Sequence, residues 1–125
     1  MSGWDAYITH LESNADVAQA AIHGFPDGGL WATSAGFNCS EAATLCARLQ
    51  NPGSYAGQKL NSGGVAYMAL ACNDDQLTGK SGPNCVAVVK SDKALIVCVG
   101  TEGMNAGSTL NAAYNMAADL KSKGF

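Results

Sequence analysis

Asn84-Cys85-Val86-Ala87-Val88-Val89-Lys90, then Ser91-Asp92-Lys93, then Ala94-Leu95-Ile96-Val97-Cys98-Val99-Gly100: two strand-like runs with three polar residues between them decide the architecture. A parallel crossover takes a dozen residues or more, so a separator this short makes the two runs antiparallel neighbours. The reading extends towards the N-terminus. Runs at 64–72 and 76–80 are set off by Asn73-Asp74-Asp75 and Ser81-Gly82-Pro83, both turn-rich and of hairpin length. Residues 17–25 read as a strand ending at the turn Pro26-Asp27-Gly28-Gly29, with Trp31 to Ser34 as its hairpin partner.

Helices flank this meander. Residues 2–11 read as one, with Ser2 as N-cap, Asp5 three residues on, and Trp4, Tyr7, Ile8 and Leu11 on one face. Residues 40–49 form a second, capped by Ser40 and stopped by Asn51-Pro52-Gly53. A third runs over 106–123, with Leu110, Tyr114, Ala117 and Leu120 on one face and Lys121 and Lys123 near its negative end. Helices at both ends of a largely antiparallel sheet make an α+β fold. No linker, repeat or low-complexity tract interrupts it, so residues 1–125 are read as a single domain.

Composition narrows the function classes. The chain is 47% hydrophobic and only 14% charged, which excludes disorder and leaves much of the surface neutral. A net charge of −3 argues against general nucleic-acid binding. No apolar run approaches the roughly 18 residues of a membrane span, and no secretory leader is visible. Five cysteines, Cys39, Cys46, Cys72, Cys85 and Cys98, are odd in number, widely spaced and without a C-x-x-C pair. That pattern argues against a disulfide framework or a zinc site and for reduced thiols in a cytoplasmic protein. No cofactor is implied. The only imidazoles, His10 and His23, read as surface or strand residues; with no G-x-S-x-G and no phosphate-binding glycine loop, nothing supports an enzyme.

The aromatic residues carry the functional signal. Ile8 and Leu11 are read as core, whereas Trp4 and Tyr7 occupy the first helical turn, where a helix projects past its sheet. Half-supported rings with an N–H and an O–H at the rim make a stacking platform. Trp31 and the closing Phe125 supply two further rings.

In their order and spacing, several pieces resemble the profilin family over essentially the whole chain. They are S-G-W-D-A-Y-I at the start, L-W-A-T-S around Trp31, G-G-V-A-Y-M from Gly63, and G-K-S-G from Gly79. A-L-I-V-C-V-G-T-E-G from Ala94 and Y-N-M-A-A-D-L from Tyr114 complete the set. The resemblance implies a central, mainly antiparallel sheet with the terminal helices side by side on one face and a shorter helix on the other. It implies a monomer that binds monomeric actin and docks proline-rich partners, in the cytoplasm and on the cytoskeleton. Trp4, Tyr7, Trp31, Asp119, Leu120 and Phe125 would form the poly-proline groove. Polyproline II enters such a groove already extended, and the rings stack on it while N–H and O–H groups meet its carbonyls.

Departures from the pattern are informative. Asp119 stands where animal profilins usually carry His, and it could meet a cation flanking a proline tract; Phe125 replaces a frequent Tyr. The actin face implied by the resemblance comprises Tyr55, Lys80 (in a basic turn), Met104, Asn105, Gly107, Asn111 and Asn115. Ala66 and Ala71 stand where basic residues are common, and Asn111 and Asn115 replace a usual Lys and Glu, so actin binding is expected with fewer charge pairs. Phosphoinositide binding, also suggested by the family, is disfavoured because the seven Lys and Arg form no cluster in the sequence. Two alternatives stand beside this reading: a poly-proline adaptor with weak or absent actin binding, and a profilin-like sensor holding a small ligand.

Overall fold

A computed structural model of the chain describes residues 4–25, 27–34, 42–50, 60–62, 65–72 and 76–125, with backbone alone for 4, 5, 48, 60–62, 65 and 69–72. The element order is α1 (Trp4–Glu12), β1 (Gln19–Gly24), β2 (Leu30–Thr33), α2 (Ala42–Gln50), β3 (Leu60–Ser62), β4 (Val65–Cys72), β5 (Gln76–Ser81), β6 (Asn84–Lys90), β7 (Ala94–Gly100) and α3 (Ala106–Ser122). The strands pair in the order β2-β1-β7-β6-β5-β4-β3, and every pairing is antiparallel. The opening hairpin behaves as its separator requires: Lys90 faces Leu95 and Cys85 faces Gly100. β1 lies between β2 and β7, so the first hairpin closes on the last strand of the meander, and the long connection, which carries α2, joins the two edge strands β2 and β3.

Side chains alternate across the central strands and build a core on each face. Ala87 and Val89 of β6 and Ala94, Ile96 and Cys98 of β7 pack with Ile8 and Leu11 of α1 and with Ala113, Met116, Ala117 and Leu120 of α3. Val86, Val88, Leu95, Val97 and Val99 point the other way, onto Leu45, Cys46 and Leu49 of α2. Fully buried side chains of this kind contribute roughly 1.5–3 kcal/mol each. The expected arrangement, two terminal helices on one face and a shorter helix on the other, is the one observed.

Four details differ from the sequence reading. β3 was not anticipated, because three residues carry no readable period. The first strand begins at Gln19, not Val17, since residues 13–18 turn to leave α1. The buried stripe of α3 is Thr109, Ala113, Met116, Ala117 and Leu120. Tyr114, expected on that stripe, is 51% exposed. Ala117 and Leu120 lie on the stripe as expected and Leu110 packs half-buried against the same core, while Ala113 and Met116 take the place expected for Tyr114. The proposed caps Ser2 and Ser40 lie outside the described residues.

Candidate functional site

The C-terminal end of α3 is built by a specific stop. Gly124 has φ +93, the left-handed region in which a side chain is disfavoured. Its N–H donates to the Lys121 carbonyl at 3.2 Å, and the Phe125 N–H donates to the Leu120 carbonyl at 2.9 Å. These two bonds are a Schellman motif, and they turn Phe125 back over the helix end. There its main-chain oxygen accepts from the Ser91 hydroxyl at 2.7 Å and from the Lys93 N–H. The turn that defined the fold therefore also pins the last aromatic residue.

Trp31 meets that residue. The two ring centroids are 6.3 Å apart with an interplanar angle of 74°, an edge-to-face pair. Beneath Trp31 lies Gly24, where a Cβ would stand 3.1 Å from the indole Nε1 and 2.7 Å from Asp27 Oδ1. Absence of a side chain at Gly24 is what lets the indole lie there. Tyr7, half-buried on α1, packs against the same core. Lys123 Nζ donates to its hydroxyl at 3.2 Å and to Asp119 Oδ2 at 3.0 Å.

Between α1 and α3, next to Tyr7, runs a groove of about 670 Å³. Leu11 and Met116 are among its apolar residues, and His10, Asn14, Asn115 and Asp119 among its polar ones. Sequence reasoning missed His10, which was expected outside the groove. Its signal was available: His10 is three residues from Tyr7, one helical turn on.

The predicted residues thus separate into groups. Tyr7, Trp31, Asp119 and Phe125 gather at or beside the shared end of the terminal helices. The side chain of Trp4 lies outside the described residues, although its backbone opens α1. Leu120 is corrected: with 0% exposure it belongs to the core and presents no surface to a ligand. Asp119 already has an internal cation in Lys123, a more local use than the expected meeting with a cation on a partner.

Of the other set, Tyr55 lies outside the described residues. Lys80 is exposed but sits within β5 opposite Met68 and Cys85, not in the turn where it was expected. Met104 and Asn105 lead into α3. The Met104 sulfur accepts from the Thr101 N–H at 3.3 Å, and Asn105 is the N-cap, its side chain accepting from the Ser108 N–H at 3.1 Å. Gly107 is exposed in the first turn, and a Cβ there would lie 3.1 Å from Asn105 Oδ1. Asn111 is exposed farther along the helix, whereas Asn115 lines the groove with Tyr7 and Asp119. Ala66 is exposed on β4, and the side chain of Ala71 is outside those described.

Burial pushes the Cys98 thiol up to about 12 and keeps it protonated. Cys46, Cys85 and Cys98 are all buried free thiols. Among the described residues no cluster of three or more His, Cys, Asp or Glu could hold a metal, and no helix is long and apolar enough to cross a membrane.

A two-faced antiparallel sheet with aromatic rings held at the junction of its terminal helices defines a small docking domain. Residues 2–125 match the family model described as Profilin, and the chain belongs to the profilin family. It is 36% identical over 125 residues to profilin-1B of Acanthamoeba castellanii, with 98% of each chain covered. The solved structure of that amoebal profilin IB superposes with a TM-score of 0.91, covering 98% of this chain and 100% of the other at 35% identity. Profilin-2 of Dictyostelium discoideum is 33% identical over 114 residues, covering 91% of this chain and 92% of its own. The family is one of actin-binding regulators, not enzymes.

Proposed function

We propose that this profilin binds monomeric actin, regulates its polymerisation, and docks polyproline II segments of partner proteins at the shared end of α1 and α3. The observation that carries the proline half is the edge-to-face pair of Trp31 and Phe125, held beside Tyr7 by the Schellman turn at Gly124. Rings fixed by main-chain hydrogen bonds lose little freedom when a pre-extended ligand arrives, so a small area suffices for useful affinity. In this reading Tyr7, Trp31 and Phe125 supply the described stacking surfaces, Asp119 shapes the rim through Lys123, and Trp4, whose side chain lies outside those described, is assigned to the groove by the family resemblance alone. The fold itself has been solved as mouse profilin IIa in complex with a double repeat from the FH1 domain of mDia1, and as LokiProfilin2 with rabbit actin.

Actin would meet the exposed Lys80, Asn105, Gly107 and Asn111 and the half-buried Met104, together with Tyr55, which lies outside the described residues. Asn115, of the same proposed set, also lines the groove beside Tyr7 and Asp119. The protein acts in this reading as a cytoplasmic, cytoskeleton-associated monomer of one domain. Titration with poly-L-proline, followed by tryptophan fluorescence, tests the first half: a saturable change lost in Trp31→Ala supports it, and retained binding in the folded variant removes Trp31 from the site. Suppression of spontaneous actin nucleation by excess protein tests the second half. Unaltered nucleation would leave a poly-proline adaptor.

A further inference from the structure

The start of α3 is completed from elsewhere in the chain. Asn105 is its N-cap, with φ −87 and ψ 115, and the first turn carries no acidic residue. In a capping box the residue three positions on returns a side-chain acceptor to the N-cap N–H. That residue here is Ser108, and the Asn105 N–H instead donates to Asp16 Oδ1 at 2.9 Å, across 89 residues of sequence. Asp16 is itself held on both sides. Its N–H donates to Asn14 Oδ1 at 2.9 Å, and its main-chain carbonyl accepts from the Thr109 hydroxyl at 2.5 Å. Thr109 is fully buried, and Gly100 makes room for it, since a Cβ there would stand 2.7 Å from Thr109 Oγ1.

We infer that Asp16 is a positioning residue: from the loop between α1 and β1 it completes the cap of α3 and fixes Met104, Asn105 and Gly107 in the arrangement presented to actin. Its consequence for actin rests on the proposed actin reading; its structural part does not. A carboxylate beside the first turn also complements the positive end of the helix dipole, where α3 has no acid of its own. Asp16 is not among the residues that line the groove, and the rings of Tyr7, Trp31 and Phe125 lie at the opposite end of α3.

The test uses Asp16→Ala and Asp16→Asn in the full chain. Three readouts are needed: amide hydrogen exchange at Asn105 and Ser108, affinity for monomeric actin, and affinity for poly-L-proline. Removal of one helix cap corresponds to roughly a five-fold effect. Asp16→Ala is expected to speed exchange at both amides and weaken actin binding by about that factor, with poly-L-proline binding unchanged. Asp16→Asn, which keeps an Oδ1 acceptor, is expected to restore both. Unchanged exchange in Asp16→Ala overturns the positioning role. Faster exchange with unchanged actin binding overturns its functional consequence, and equal loss at both sites overturns its selectivity for the actin side. Should the wild-type protein leave actin unbound, the actin reading fails while the exchange measurement still decides the cap.

Discussion

Lys123 Nζ donates to the Tyr7 hydroxyl at 3.2 Å, joining the two terminal helices across 116 residues of sequence. The same ammonium donates to Asp119 at 3.0 Å. First the Asp119 bond and then the Tyr7 bond favour the charged form and hold the Lys123 pKa above the ordinary 10.5. A raised pKa contributes stability that is fully present below the unfolded value and is lost as pH rises through the folded one. Because the charged amine is what holds the Tyr7 hydroxyl, poly-L-proline affinity should be insensitive to this group up to about pH 10 and fall above it as Lys123 loses its proton. Lys123→Met should weaken binding modestly at neutral pH, by freeing the Tyr7 ring, and remove the alkaline decline; an unchanged decline would assign it to another group.

Gly124 sets where Phe125 goes. Alanine at φ +93 is strained by about 1–2 kcal/mol. Gly124→Ala should destabilise the protein by about 1 kcal/mol in urea denaturation and weaken poly-L-proline binding as well. Gly124→Asn should do less, because Asn enters the left-handed region more readily. Equal effects of the two variants would separate Phe125 placement from the backbone turn.

Gly24 tests the other ring. A methyl group there would press within 3.1 Å of the Trp31 indole nitrogen and 2.7 Å of Asp27 Oδ1. The Asp27 carboxylate is exposed and can swing away, but the indole must shift relative to Phe125. Gly24→Ala should therefore alter the tryptophan emission of the free protein and weaken poly-L-proline binding more than it lowers stability. Unaltered emission and affinity would show that the pair tolerates displacement.

What the sequence revealed, and what it hid, follows from the range of each interaction. Three-residue separators such as Ser91-Asp92-Lys93 dictate neighbouring strands locally, so the meander and its hand of pairing could be read directly. The rotation of α3 could not: Tyr114 and Met116 are both apolar at plausible spacings, and only packing against β6 and β7 chose Met116. Leu120 sits one residue from Asp119, yet one is core and the other rim. The Lys123–Tyr7 and Asp16–Asn105 bonds join residues that no local pattern connects.

His23 makes stability depend on pH. Its Nδ1 lies 3.0 Å from the Gly28 carbonyl, which can only accept, so Nδ1 carries the proton of the neutral ring. Nε2 is buried without a hydrogen-bond partner among the described residues. Burial lowers the pKa below 6.5, partly offset by the Gly28 bond. As pH falls through 6.5, the unfolded chain takes up a proton first, and stability declines until the folded imidazole is protonated too. In His23→Asn the amide can still donate to Gly28, but nothing titrates. Urea denaturation at about pH 7 and pH 5 should show a larger acid loss in the wild type than in the variant; equal losses would move the acid sensitivity to the carboxylates.

Actin binding should carry a recognisable salt signature. Ala66 and Asn111 are exposed neutral residues, so the proposed interface has fewer charge pairs than the family pattern supplies. Exposed pairs are worth about 0–1 kcal/mol each and are screened beyond about 10 Å at 0.1 M salt. Their larger influence is on encounter: complementary charge raises association rates and makes them fall with ionic strength. The wild-type protein should therefore bind monomeric actin with a shallow salt dependence. Both positions face solvent, so lysine can be placed at Ala66 and Asn111 without disturbing either core. The double variant should associate faster with actin at low salt, keep its dissociation rate, and show a steeper salt slope in stopped-flow measurements. A slope equal to that of the wild type would place Ala66 and Asn111 outside the actin interface, and Lys80→Ala would then be the variant that locates it.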